Sequence, residues 1–371
     1  MKSNKKSSSR LLHESKKNKK DEFYTDLSVI EDEIKHHRKH FKGKTVYCNC
    51  DDPRISNFFR YFSYNFEYLD LKRLITTCYK NNQLDLFSTE ESDQAIMLDY
   101  NGDKNGNRVP DVEEIGVKYL KQNGDFRNEE CIDILKKSDI IVTNPPFSLF
   151  RQYIKQLMDY NKKFLIIGNI NAVNYKEVFP FIQDNKLWLG PSIRSGDREF
   201  GVPDDYPLTA KGQRIDENGK KFVRVTGVRW FTNLSFKKRY EDLILYKKYT
   251  SEQYPKYDNY DAINVNKTKE IPMDYDGVMG VPITFLDKYN PKQFEILGLS
   301  QKAGFGLKSI KFYDDFKETR QDGTHTGSSG KKTNGNPVMK GKPKKGNFYI
   351  NEDGETVYSL YGRIFIKKRK R

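Results

Sequence analysis

Asn144, Pro145, Pro146 and Phe147 follow directly on the apolar run Ile140-Ile141-Val142, and no other stretch of the chain concentrates so much usable chemistry. The run reads as a short buried strand closed by a turn signal. The Asn144 side-chain oxygen and the Pro145 carbonyl offer two hydrogen-bond acceptors on neighbouring residues. An exocyclic aromatic amine needs such a pair, because its lone pair is delocalised into the ring. Acceptors aimed at its two hydrogens draw the nitrogen toward sp³ and make it a nucleophile. The two prolines fix φ and carry no N–H, so they stiffen the loop that holds this geometry. Phe147 supplies a ring on which an extruded base can stack. A proline turn capping a strand would account for Asn-Pro alone. The whole tetrapeptide, followed by the helical pattern from Ser148 to Tyr160, is a more specific signal.

The tetrapeptide matches the signature (Asn/Asp/Ser)-Pro-Pro-(Tyr/Phe) of S-adenosylmethionine-dependent amino-methyltransferases, which act on adenine N6, cytosine N4, guanine N2 or a protein glutamine. Longer blocks narrow the resemblance. Tyr47-Cys48-Asn49-Cys50-Asp51-Asp52-Pro53-Arg54, with Ser56-Asn57-Phe58-Phe59 behind it, is similar to the EcoRI-type adenine-specific DNA methylases. So are Phe164-Leu165-Ile166-Ile167, Trp230-Phe231-Thr232-Asn233-Leu234, Tyr254 to Ile263, and Met279 to Leu286. In order, these blocks cover most of residues 21–297.

The resemblance implies an α/β, Rossmann-like methyltransferase fold: a mostly parallel sheet with an antiparallel last strand, plus a C-terminal recognition region. It implies that Asn144 and Pro145 hold the amino group of a flipped adenine, that Pro146 shapes the loop, and that Phe147 stacks on the base. It assigns Asn49, Asp51, Asp52 and Pro53 to the methionine part of S-adenosylmethionine, and Asp125 with Phe126 to its adenine. Tyr24 and Thr25, in the segment Asp21 to Thr25, would pack over the methionine end. The implied partner is double-stranded DNA carrying a short palindromic site, and the implied companion is a restriction endonuclease. The chain departs from the common pattern twice. Its first loop lacks the Phe-x-Gly-x-Gly form, and its second strand does not end in an acid, so the ribose contact is unassigned. By themselves, Asp51, Asp52 and Pro53 read as an acidic strand-to-helix turn.

The elements that must position these residues alternate. Strands are expected at 45–50, 72–79, near 115–121, at 139–143, 163–169, 186–189 and 227–234. Helices are expected from about 26, at 55–66, 128–137, 148–160 and 174–183. Residues 94–109, with Asn101-Gly102 and Asn105-Gly106, read as an inserted hairpin. Strands alternating with helices imply a largely parallel sheet covered on both faces. Ligands then gather beyond the carboxyl ends of the strands, where Asn49, Asp125 and Asn144 meet.

The 371 residues allow one large α/β domain, expected over 21–234, and a second region over 235–371. Residues 318–346 are nearly free of large apolar groups and read as a mobile basic loop. The net charge of +15 sits at the ends. Residues 1–20 carry eight Lys/Arg against one acid, and 331–371 carry twelve against three. Residues 1–20 read as a disordered basic arm, and basic ends on a near-neutral body suit a polyanionic partner. Arg194, Arg198, Lys237, Lys238 and Arg239 are candidate base readers. No run of apolar residues is long enough for a membrane span, and the four cysteines lack metal-ligand spacing. His36 and His40 have i,i+4 spacing but sit among cations, so no metal is expected. The expected protein is a cytoplasmic, monomeric methyltransferase. The residues themselves leave open cytosine N4, an RNA base, or a degenerate DNA-binding protein.

Overall fold

A computed structural model describes residues 23–50, 56–79, 95–107, 109–111, 114–194, 196–202, 212–300, 306–311, 313, 316–329, 335–351 and 353–370. They divide into two compact units, residues 1–178 with 187–236, and residues 179–186 with 237–371.

In the first unit the chain runs through α1 (Leu27–Ile34), β1 (Thr45–Asn49), α2 (Asn57–Tyr64), β2 (Arg73–Thr77), β3 (Ile96–Tyr100) and β4 (Ile115–Tyr119). It continues through α3 (Glu129–Lys137), β5 (Ile140–Thr143), α4 (Phe150–Asp159), β6 (Lys163–Asn169), β7 (Trp188–Leu189), β8 (Asp197–Val202), β9 (Gln213–Ile215), β10 (Lys221–Thr226) and β11 (Val228–Thr232). Every residue of β1, β5 and β11 is buried, as strands covered on both faces require. The helices supply the covers. α4 buries Phe150, Tyr153, Ile154 and Leu157, the i, i+3, i+4, i+7 stripe of an amphipathic helix. α1 and α2 are capped by Asp26 and Ser56, whose side chains accept from the backbone N–H two residues on.

The eight strands order as β4-β3-β2-β1-β5-β6-β11-β7. β2, β1, β5 and β6 are parallel, and β11 runs antiparallel between β6 and β7. This is the expected methyltransferase sheet, closed by an antiparallel last strand. β8, β10 and β9 form a separate antiparallel sheet.

The expected hairpin over 94–109 is not what forms. β3 lies inside the large sheet, antiparallel to both β2 and β4, and residues 101–114 make one long connection. The Asn-Gly turn signal is spent within that connection, where the side chains of Asp103, Asn105 and Asn107 accept from backbone N–H groups two or three residues on. Arg73 on β2 donates twice to Asp99 on β3, at 2.7 and 2.6 Å, and Lys118 on β4 joins at 3.1 Å. The Arg73 guanidinium holds the Asp99 carboxyl below its usual range.

The second unit contains α5 (Phe179–Gln183), β12 (Ile263–Asn264), β13 (Met279–Pro282), β14 (Phe294–Leu299), β15 (Lys317–Thr319), β16 (His325–Ser329), β17 (Val338–Lys340), β18 (Phe348–Ile350), β19 (Thr356–Ser359) and β20 (Arg363–Lys368). They form a four-stranded sheet, β12-β13-β20-β14, and a five-stranded one, β16-β15-β18-β19-β17. Three short strands, β15, β16 and β17, therefore fall wholly or largely within 318–346, in place of the loop expected there. Their core is a small cluster of Tyr313, Phe316, Val338 and Val357. Strands of three to five residues that bury at most two of their described side chains leave no periodicity to read. The interleaved tyrosines are also packing groups: Tyr257 is buried, with its hydroxyl donating to Asn264 Oδ1 at 2.9 Å.

One glycine is irreplaceable where the sheet meets the loop after β4. Gly124 has φ +73°, and a Cβ there would lie 1.9 Å from the carbonyl oxygen of Cys78. Gly124→Ala is expected to cost about 2 kcal/mol or more, read as a lowered Tm; an unchanged Tm would show that the approach can relax.

Candidate active site

Pairing of Tyr47 with Ile141 in the β1–β5 ladder carries Asn49 and Thr143 to the same edge of the sheet. The helix behind the tetrapeptide ties them together. Tyr153 of α4 is fully buried and donates its hydroxyl hydrogen to Asn49 Oδ1. Burial drives the Tyr153 pKa well above the ordinary tyrosine value, which keeps it a donor. The Phe126 ring meets Tyr153 edge-on, with centroids 4.9 Å apart, and the Phe126 carbonyl accepts from Gln156 Nε2 at 3.0 Å. Asn49, Tyr153 and Phe126 thus form one wall.

Asp125 stands beside that wall, engaged by Arg127. Its Oδ1 accepts from Arg127 Nε at 2.8 Å and from the Arg127 backbone N–H at 2.9 Å, while Oδ2 accepts from Nη2 at 2.5 Å. This pairing holds the carboxyl below its ordinary range, so it is ionised at neutral pH. A carboxylate has about four lone-pair positions and these contacts use three, which leaves one on Oδ2.

The tetrapeptide follows β5 directly and leads into α4. Pro145 is buried, and Pro146 and Phe147 are half-buried. The Pro146 carbonyl accepts from Leu149 N at 2.9 Å and begins the turn into α4. Asn144 is 6% exposed. Its Nδ2 donates to the Phe23 carbonyl at 2.6 Å, which fixes the amide so that Oδ1 faces the other way. Oδ1 is enclosed and has no hydrogen-bond partner among the described residues. Phe23 in turn packs its ring against Phe147 and Phe200, with centroids 5.5 and 5.8 Å away. Tyr24 exchanges backbone hydrogen bonds with Gly201 of β8, and the Thr25 carbonyl accepts from Asn57 Nδ2 at 2.7 Å. The Thr25 hydroxyl is buried without a partner among the described residues.

The structure therefore links Tyr24 and Thr25, through their neighbour Phe23, with Asn144, Pro145, Pro146 and Phe147, and separately links Asn49 with Phe126 and its neighbour Asp125 through Tyr153. Asp51, Asp52 and Pro53 lie outside the described residues, as do the arm 1–20 and Asp21. Sequence reasoning gave Asn57 and Tyr153 no role and named Phe23 only as part of the segment Asp21 to Thr25. Tyr153 carries no signal of its own, since its spacing on α4 reads simply as core. Arg239 is not available as a base reader. It is buried, holds Asn185 Oδ1 and the Tyr240 hydroxyl, and burial lowers its pKa. His40 bonds the Ser235 carbonyl at 2.7 Å instead of pairing with His36.

A sequence profile of the family described as adenine-specific methyltransferase EcoRI matches residues 11–369. The chain belongs to that family. It is 53% identical over 290 residues to the type II methyltransferase M.EcoRI of Escherichia coli, which covers 78% of this chain and 88% of that one. It is 42% identical to M.MgeORF184P of Mycoplasma genitalium and 38% identical to M.MpnI of Mycoplasma pneumoniae, covering 81% of this chain and 89% of theirs in each case. The protein is an adenine-specific methyltransferase, and methyltransferases of this kind use S-adenosylmethionine. The residues fit that cofactor: Asp125 keeps an acceptor position beside the Phe126 ring, and the Thr25 hydroxyl is enclosed without a partner. Among the described residues no helix is long and apolar enough to cross a membrane.

Tyr153→Phe removes the hydroxyl that holds Asn49 and leaves a buried acceptor unsatisfied. The expected loss is about 1–2 kcal/mol of stability, with weaker S-adenosylmethionine binding, read by thermal melting and calorimetry. Unchanged cofactor affinity would detach Asn49 from the site.

Proposed function

We propose that the protein methylates N6 of an adenine flipped out of a short, specific site in duplex DNA. The observation that carries this reading is Asn144 Oδ1, a buried acceptor turned away from Phe23 and without a donor of its own. An unsatisfied buried acceptor costs about 1–3 kcal/mol, which a hydrogen of the target amine offsets. The Pro145 carbonyl takes the second hydrogen. With both hydrogens held, the nitrogen lone pair leaves the plane of the base and becomes available. Phe147 stacks on the base and offsets part of the unstacking cost of flipping.

Tyr24, Thr25, Asn49, Asp51, Asp52 and Pro53 hold the methionine part of S-adenosylmethionine, while Asp125 and Phe126 hold its adenine. When bound, the cofactor supplies an electrophilic methyl group. What the protein contributes is alignment and fixed dipoles. The methylated amine sheds one proton, which neither acceptor can keep, so it passes to solvent.

Residues 235–371, most of which lie in the second unit, are the proposed target-recognition region, since they carry the basic C-terminal end. The type II names of the relatives support a duplex target and a companion restriction endonuclease. The protein is read as a cytoplasmic monomer.

Labelled S-adenosylmethionine and unmethylated duplex DNA, followed by nucleoside analysis, test the assignment. N6-methyladenine is the expected product; N4-methylcytosine, or label entering only RNA, overturns it. Asn144→Ala is expected to lower turnover by about a hundredfold or more while cofactor binding, measured by calorimetry, holds. Retained methylation would remove Asn144 from its role.

A further inference from the structure

The connection between β3 and β4 carries a pattern that methyl transfer does not use. Counting Asp103 as the first position, side-chain oxygens fall at positions one, three, five, nine and twelve, on Asp103, Asn105, Asn107, Asp111 and Glu114. Val109 stands at the seventh. Calcium-binding loops space their ligands in this way, with a main-chain carbonyl at the seventh position and a glutamate at the twelfth.

The structure adds an independent observation. Glu114 is 6% exposed. Its Oε1 accepts from the backbone N–H of Lys104 at 2.5 Å and of Asn105 at 3.1 Å, which turns the carboxylate into the loop. Its Oε2 is enclosed and has no hydrogen-bond partner among the described residues. A buried carboxylate oxygen without a donor is costly, and a cation satisfies it. Asp111 Oδ2 accepts from Asn105 Nδ2 at 2.6 Å and Asn107 Nδ2 at 3.4 Å, so the middle of the loop already converges.

We propose that residues 103–114 bind a calcium-sized divalent cation through the side-chain oxygens of Asp103, Asn105, Asn107, Asp111 and Glu114 and the carbonyl of Val109. The loop departs from the usual pattern at its sixth position, Arg108, where glycine is the rule; Gly106, at φ +80°, supplies the left-handed turn two residues earlier. Among the described residues, no three Asp, Glu, His or Cys side chains form a ready-made metal centre. Here amides and a carbonyl supply half of the ligand groups, and Asn105 must turn its oxygen toward Asp111, so the loop closes around the ion. β3 runs opposite to β2, so this loop lies at the amino edge of the parallel strands, across the sheet from Asn144. The cation clamps the β3–β4 pair and takes no part in methyl transfer.

Terbium titration of the full chain tests this without DNA or cofactor. Tyr100 is the sensitiser, being buried and paired with Ile115, next to Glu114, where the loop joins the two strands. The expected result is tyrosine-sensitised terbium emission that calcium displaces and magnesium does not. Calcium at roughly a hundredfold over its Kd is expected to raise Tm by about 5 °C. Both effects should be lost in Glu114→Gln. They should weaken in Asp103→Asn, which keeps its acceptor oxygen and removes only charge. Emission no stronger than in these variants, or equal displacement by magnesium, would overturn the proposal.

Discussion

The hydrogen bond from Asn144 Nδ2 to the Phe23 carbonyl determines what the tetrapeptide loop can do. An asparagine amide can present either its donor or its acceptor to a ligand. This bond directs the donor end at Phe23, so the acceptor is turned the other way. The arrangement depends on a segment more than a hundred residues away in sequence. The Phe23 carbonyl stays in place because Tyr24 is bridged to Gly201, because Thr25 is tied to Asn57, and because the Phe23 ring is wedged between Phe147 and Phe200. The loop that follows β5 is therefore oriented by residues from before β1 and from β8.

The parts of this architecture that could be read from the sequence were those in which one residue type has one physical use. A fully apolar three-residue run, a double proline and an amphipathic helix located the β5–α4 turn within two residues. The alternation of strands and helices gave the parallel centre of the sheet. The parts that could not be read involve residues with two uses. Asn105-Gly106 signals a hairpin but sits in a connection where asparagine side chains bind backbone. Arg239 looks like a surface cation and is a buried hydrogen-bond donor. Short strands such as β17 and β18 bury too few side chains to leave a pattern. Asp125 was legible as an acid after β4, but its engagement by Arg127 was not, since an arginine two residues on is equally a solvated neighbour.

The charge count also changes meaning once side chains are located. In the second unit, Lys311 lies 3.2 Å from Asp258, Lys340 lies 3.2 Å from Glu355, and Lys368 reaches Asp276 at 3.5 Å. Asp258 is nearly buried and also accepts from the Tyr313 hydroxyl. Several lysines that sequence reasoning would offer to phosphates are therefore already committed to internal carboxylates. Exposed pairs of this kind contribute little stability and yield readily to a stronger anion, whereas the Asp258 contact is anchored.

The eight-stranded sheet ends on one side at β7 and on the other at β4. An open strand edge is a template on which another chain can add, and the two margins avert this differently. β7 is two residues long, too short to seed a ladder. β4 is longer and shows Val117 and Tyr119 to solvent, yet Lys118 sits between them with its ammonium on Asp99. Lys118 therefore keeps a charge at the margin, a feature that discourages strand addition. Brevity guards one margin and charge the other.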